Sequence, residues 1–310
     1  MNIVFFGSPT SAIPSFRRLV ETGHNLRLVI TQPDRPAGRG KKIVFSPVKK
    51  LALDLNIPIC QPARIRKDAV VLQKMMALQP ELNVVVAYGQ IIPRDIIELP
   101  VFKTINLHFS LLPKYRGASP VQWALLNGEN KTGITIMELN EKMDEGDILF
   151  QKEMEILPDD NTDRLEQRLS KEGAEILINT IADIERITPV PQDHSSATYA
   201  PKIKKEDGKI DWTRDAVDLE NMIRAFSSWP SVYCFLKKTR IKVLKGKKID
   251  CPDKTASPGE VICVDKRGIQ IACGKKSVFL MEIVQPENRK AMDAHAFSLG
   301  RRLAAGDRFD

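Results

Sequence analysis

Asn106 and His108 stand two positions apart in an apolar stretch, INLHFSLLP at 105–113. In a strand, residues two apart share a face, so Ile105, Leu107 and Phe109 fall on one side and Asn106, His108 and Ser110 on the other. An Asn amide can donate a hydrogen bond to a carbonyl oxygen as negative charge gathers there. An imidazole can exchange a proton near neutral pH. Neither Ser110 nor any cysteine sits in a recognisable nucleophile motif, which favours chemistry without a covalent intermediate. Downstream, ELNEKMDEGDIL at 138–149 gathers Asp144, Glu145 and Asp147 around Gly146 in a turn. A carboxylate beside His108 would orient the ring. Taken alone, these residues leave other readings open. An Asn–His pair can simply satisfy backbone groups at a strand end, and acidic turns are more often solvated than catalytic.

The surrounding pattern says what must position them. Short apolar runs at 2–7, 26–31, 82–88, 104–110 and 133–139 alternate with helical patterns. Continuous runs such as Val84-Val85-Val86 suit strands covered on both faces, the mark of a mostly parallel α/β sheet. Such sheets bind ligands beyond the carboxyl ends of their strands, which is where Asn106 and His108 sit. A further strand at 147–156 is expected to be antiparallel, and a long amphipathic helix follows with Thr162 or Asp163 as its cap. The turn in FFGSPTSAIPSF is not G-x-G-x-x-G and no Walker lysine motif occurs, which disfavours a dinucleotide or nucleoside-triphosphate site. Residues 188–208 are rich in proline and small polar residues and read as a linker. Beyond them lie one helix (DAVDLENMIRAFS), several short β-like runs suggesting a small barrel or sandwich, and DAHAFSLGRRLAAGD as a closing helix. The expected division is 1–188, a linker at 189–206, and 207–310.

The chain has 310 residues, 43% hydrophobic and 28% charged, a soluble globular composition. No apolar window is long enough for a membrane span, and MNIVFFGSPT lacks the basic start of a signal peptide. The 5 cysteines contain no C-x-x-C pair, which argues for a reducing compartment and against a zinc site or disulfide framework. The formal charge of +8 is placed asymmetrically: residues 1–200 hold 24 Lys and Arg against 24 Asp and Glu, whereas 201–310 hold 23 against 15. Two basic stretches stand out, PDRPAGRGKKIVFSPVKK at 33–50 and TRIKVLKGKK at 239–248, the latter with Arg240 and Lys242 on one strand face. Either could be a solvated surface; together they favour a nucleic-acid partner.

The segment INLHFSLLPKYRGASPVQWALLNGENKTGITIMELNEKMDEGDIL resembles the core of the 10-formyltetrahydrofolate-dependent formyltransferases. So do LVITQPDRPAGRGKK, VVVAYGQIIP, TYAPKI, IDW and the RAF…WP segment, so the likeness spans nearly the whole chain. It implies a Rossmann-like catalytic domain, a C-terminal OB-like β-barrel domain that contacts tRNA, and the folate as co-substrate with no metal. Asn106, His108 and Asp144 match the family's catalytic residues. Ser110, Leu111, Leu112 and Pro113 match the loop that holds the folate, and Tyr88, Gly89 and Gln90 the segment lining the pterin pocket. Arg39, Lys41 and Lys42 match a loop that approaches the acceptor end of initiator tRNA. The implied reaction moves a formyl group to the amino group of initiator methionyl-tRNA, in a cytoplasmic monomer with no membrane partner. A sugar-nucleotide formyltransferase on the same core is the alternative. Two departures stand out: Phe109 replaces a small residue, and Ser227-Ser228 precedes Trp229-Pro230 where Asn-Pro is usual.

Overall fold

Apolar runs with little polar interruption pair side by side when helices cover both faces, and the first half of the chain folds this way. The computed structural model describes residues 1–37, 42–250 and 256–310. The chain forms two units, one of 1–120, 131–155 and 166–201, the other of 121–130, 156–165 and 202–310.

The first unit contains β1 (Asn2–Gly7), β2 (Asn25–Ile30), β3 (Arg35–Ala37), β4 (Lys42–Val44), β5 (Ile59–Cys60), β6 (Leu82–Val86), β7 (Thr104–His108), β8 (Lys131–Glu138) and β9 (Ile148–Glu155). Seven of these make one sheet in the order β5-β2-β1-β6-β7-β8-β9. Its pairings from β5 to β7 are parallel; β8 and β9 add antiparallel strands at one edge. The parallel-dominated, Rossmann-like sheet and the antiparallel 147–156 strand expected from the sequence are therefore present. β3 and β4 form a separate antiparallel hairpin.

Helices α1 (Ile13–Glu21), α2 (Pro47–Asp54), α3 (Ala69–Leu78), α4 (Arg94–Ile97), α5 (Pro120–Leu126) and α6 (Thr162–Ala182) lie between or after the strands. The Ser46 hydroxyl caps α2 and the Asp68 carboxylate caps α3, each accepting from a first-turn amide. At α6 the cap differs from the expected Thr162 or Asp163. Asn161 Oδ1 accepts from the Arg164 amide at 3.0 Å, while the Thr162 hydroxyl donates to the carbonyl of Ala225. The stretch read as a linker is paired in part: Val190 bridges Ile148 and Tyr199 bridges Arg116.

In the second unit, α7 (Ala216–Ala225) precedes β10 (Tyr233–Leu236), β11 (Thr239–Ile249), β12 (Val261–Asp265), β13 (Gly268–Ala272), β14 (Val278–Pro286) and β15 (Met292–Asp293). All pair antiparallel, in the order β10-β11-β14-β13-β12 with β15 on β14. No strand ladder closes this sheet into a barrel among the described residues. The final segment bonds to both of its edges: Phe309 N donates to Gly259 O, and Asp310 and Phe235 exchange backbone bonds at 2.9 Å. The closing helix α8 (Ala294–Arg301) is shorter than expected. Arg302 adopts the left-handed conformation at φ 53, its amide donates to Leu299 O, and the chain turns away to reach the sheet edges. No helix among the described residues is long and apolar enough to cross a membrane.

Candidate active site

Every residue of β7 is buried, so polar side chains there carry a desolvation cost unless something meets them. Asn106 is 9% exposed and His108 6%. β7 lies between parallel β6 and antiparallel β8, with Asn106 opposite Met137 and His108 opposite Thr135. His108 Nε2 lies 3.0 Å from the carbonyl oxygen of Tyr115. A carbonyl only accepts, so Nε2 carries the proton and Nδ1 is left to face Asp144. The Asn106 amide has no hydrogen-bond partner among the described residues. Asn106 is not among the side chains whose unpaired atoms are sealed off, so its amide is open to a ligand's carbonyl oxygen.

Asp144 does come to His108: Oδ2 is 3.9 Å from Nδ1. That distance is too long for a hydrogen bond, and the two form an ion pair only when the imidazole takes up a second proton. What orients the ring is the Tyr115 carbonyl on the other nitrogen, a role the sequence had suggested for the carboxylate. Asp144 is itself held by the backbone amide of Gly117, which donates to Oδ2 at 2.8 Å. Asp144 is left-handed, φ 54. Two residues on, a Cβ on Gly146 would meet the Glu138 carbonyl at 1.7 Å, so only glycine lets the acidic turn lie this close to β8. Gly117 has φ 123, and a Cβ there would meet Ala200 O at 2.6 Å.

The Ser110–Pro113 turn hangs from one hydroxyl. Thr135 Oγ1 donates to Ser110 O at 2.7 Å and accepts from Leu112 N at 3.1 Å. Gln151 on β9 donates to both Thr135 Oγ1 and Leu112 O. Ser110 Oγ donates to Lys114 O. Phe109 is buried one residue past the end of β7. Tyr88 packs in the core edge-on to Phe6, ring centroids 5.5 Å apart, and burial pushes its phenol pKa up. The Gln90 side chain is spent on Ile65 N and Pro62 O. Main-chain atoms are thus what 88–90, Gly89 included, offers a ligand.

Of the basic residues singled out, Arg39 and Lys41 lie outside the described residues, and Lys42 opens β4. Arg240 stacks on the Tyr233 ring at 3.7 Å, and Lys242 Nζ is 3.3 Å from Ser231 Oγ. Sequence reasoning missed Arg116, Thr135, Gln151 and Gln192. Arg116 is 1% exposed and pairs with Glu145 at 3.3 Å. Its burial had no signal in the basic PKYRG context. Gln192 lies in the segment read as a linker and is buried against the acidic turn, donating to Asp144 O and Gly146 O. Among the described residues no group of three or more His, Cys, Asp or Glu could hold a metal ion.

A family model for formyl transferase matches residues 1–181, and one for the formyl transferase C-terminal domain matches 202–302. A methionyl-tRNA formyltransferase of Thermodesulfovibrio yellowstonii is 44% identical, covering 98% of this chain and 97% of that protein. The methionyl-tRNA formyltransferase of Bacillus subtilis is 41% identical over 98% and 96%. Among solved structures, the N-formyltransferase of Helicobacter canadensis with folinic acid and dTDP-3-aminofucose superposes with TM-score 0.68 at 18% identity, covering 91% of this chain and 98% of that one. The sugar 3N-formyl transferase WlaRD, solved with dTDP and 5-N-formyl-THF, gives 0.66 at 21%, covering 94% and 99%.

Proposed function

Since the chain belongs to the formyl transferase family, we propose that it transfers the formyl group of 10-formyltetrahydrofolate to the methionine amino group of initiator methionyl-tRNA. The observation that carries the chemistry is the unpaired, accessible Asn106 amide on the same strand face as His108, beside the His108–Asp144 pair. The choice of acceptor rests on relatives matching end to end under that activity. Likeness to the sugar enzymes stays at 18% and 21% identity and speaks for fold alone.

The bound folate supplies an electrophilic formyl carbon on a nitrogen that departs once protonated. Asn106 donates to the formyl oxygen as charge develops on it. His108, anchored at Nε2 by Tyr115, has Nδ1 free to take a proton from the attacking amine. Asp144 stabilises the imidazolium that results, and the proton then passes to the departing nitrogen. We assign Ser110, Leu111, Leu112 and Pro113 and the backbone of Tyr88, Gly89 and Gln90 to the folate. Arg39, Lys41, Lys42, Arg240 and Lys242 are assigned to the tRNA. The second unit is read as an OB-like barrel; the bonds from Phe309 and Asp310 to both sheet edges support that reading. A cytoplasmic monomer is the state in keeping with this role.

The test supplies labelled formyl-folate with aminoacylated initiator tRNA, with an amino sugar nucleotide, or with water alone. Transfer to the tRNA only is expected; transfer to the sugar nucleotide only would install the alternative. Asn106→Ala should lower kcat on the order of a hundredfold, and Asp144→Asn should be similarly crippled with its fold intact. Near-normal turnover by Asp144→Asn would remove that residue from the mechanism.

A further inference from the structure

Arg116 is the largest fully buried side chain among the described residues, and its guanidinium contacts Glu145, Gln192 and His194 around the turn that carries Asp144. Its NH1 pairs with Glu145 Oε1 at 3.3 Å. Its Nε and NH2 donate to Gln192 Oε1 at 3.2 and 2.7 Å, and NH2 lies 3.0 Å from His194 Nδ1. The same Gln192 uses its amide nitrogen to grip the carbonyls of Asp144 and Gly146, at 2.9 and 2.7 Å. The two flanking residues reach the reacting pair itself: Tyr115 O accepts a hydrogen bond from His108 Nε2, and Gly117 N donates to the Asp144 carboxylate.

We propose that Arg116 is a positioning residue for formyl transfer, fixing the left-handed Asp144 turn through Glu145 and Gln192 so that the carboxylate stays beside His108. The inference rests on the function proposed above. Burying a charged guanidinium removes it from water, a cost that its pairing with Glu145 and Gln192 offsets. A planar fork can serve Glu145 on one edge and Gln192 on the other at once, which a lysine ammonium cannot do. Because Asp144 O and Gly146 O share one Gln192 nitrogen, a shift of Gln192 moves both ends of the turn together. The His108–Asp144 spacing is set from 115–117 on one side and from this network on the other. Displacing a reacting group by about 1 Å costs on the order of a hundredfold.

The test is a double-mutant cycle on the full chain, reading kcat and KM with formyl-folate and aminoacylated initiator tRNA. Arg116→Lys should lower kcat on the order of tenfold or more with both KM values within about twofold, and Asp144→Asn should erase that effect, since groups acting as one unit are not additive. A purely structural role would give the same loss in both backgrounds, and that result overturns the proposal. Should Arg116→Lys fail to fold by circular dichroism, Gln192→Leu and Gln192→Glu carry the same cycle. Wild-type kcat in the folded variants also overturns it. If Asp144→Asn alone turns over normally, the role of Asp144 fails and this inference with it. Loss there with an additive Arg116→Lys sinks only this inference.

Discussion

At the scale of single residues, the hydroxyl of Thr135 does more than its position in β8 would suggest. It bonds at once to Ser110 O and Leu112 N, both buried, and to Nε2 of Gln151 at the edge of solvent. Thr135→Val keeps the shape and removes the oxygen, leaving the Leu112 amide and the Ser110 carbonyl without this partner. An unsatisfied buried group costs about 1–3 kcal/mol, so urea unfolding should show a loss of that order. On the proposed assignment of 110–113 to the folate, KM for the folate should rise more than kcat falls. Thr135→Ser, which keeps the oxygen, should recover most of both. Equal effects from Val and Ser would mean that the methyl group matters and the hydroxyl does not. This residue was invisible in the sequence. A threonine in GITIMEL reads as a β-branched strand former, and its partners come from two other segments. Asn106 and His108 were legible because they put polar side chains on one face of a strand in a sheet covered on both faces, where apolar residues are expected throughout. Arg116 and Gln192 were not, since each owes its burial to the other across 76 residues of chain.

At the scale of elements, the strands were legible because apolar runs and alternation are local signals. What decided the helix ends was not local. RRLAA has no less helical propensity than AFSL before it, yet α8 stops at Arg301 because the following residues pair with Gly259 and Phe235. Likewise 189–206 looks like a linker in composition, while Val190 and Gln192 lie against the acidic turn and its strand. One local device can be tested directly. Asp265 closes the β12–β13 hairpin by accepting from Arg267 N and NH2 and from Gln270. The Arg267 bonds are the main reason its carboxyl pKa drops from 3.8 to about 2. A carboxylate with a lowered folded pKa adds stability above its unfolded pKa and loses it as pH falls through the folded one. The group is partly exposed, so the contribution is no more than about 1 kcal/mol. Asp265→Asn should therefore unfold at lower urea than the wild type at pH 7 and equally so at pH 5, with the gap narrowing below pH 4. A gap that stays constant to pH 3 would mean the carboxylate charge is not its source.

At the scale of the whole molecule, the charge is carried by one part of the chain: 201–310 hold 23 Lys and Arg against 15 Asp and Glu, and 1–200 hold 24 of each. Catalysis on a small folate does not require this, but holding an RNA polyanion does. On the β10–β11 pair, Tyr233 sits opposite Lys242 and Phe235 opposite Arg240, while Cys234 and Ile241 between them are buried. The arginine is stacked on Tyr233 and so held in place, an arrangement suited to a phosphate or a base. If each of these cations meets a phosphate, it releases about one counterion, and log affinity falls by about 0.9 per contact for each unit of log salt. Arg240→Ala and Lys242→Ala should each weaken tRNA binding at low salt and reduce the slope by about one. The folate KM should stay within about twofold, because neither residue belongs to the site proposed around Asn106 and His108. A salt titration of initiator tRNA binding by the wild type and both variants reads all of this. A flat wild-type titration would show that the surplus charge serves solubility instead of RNA; unchanged slopes in both variants would move the phosphate contacts away from this strand pair.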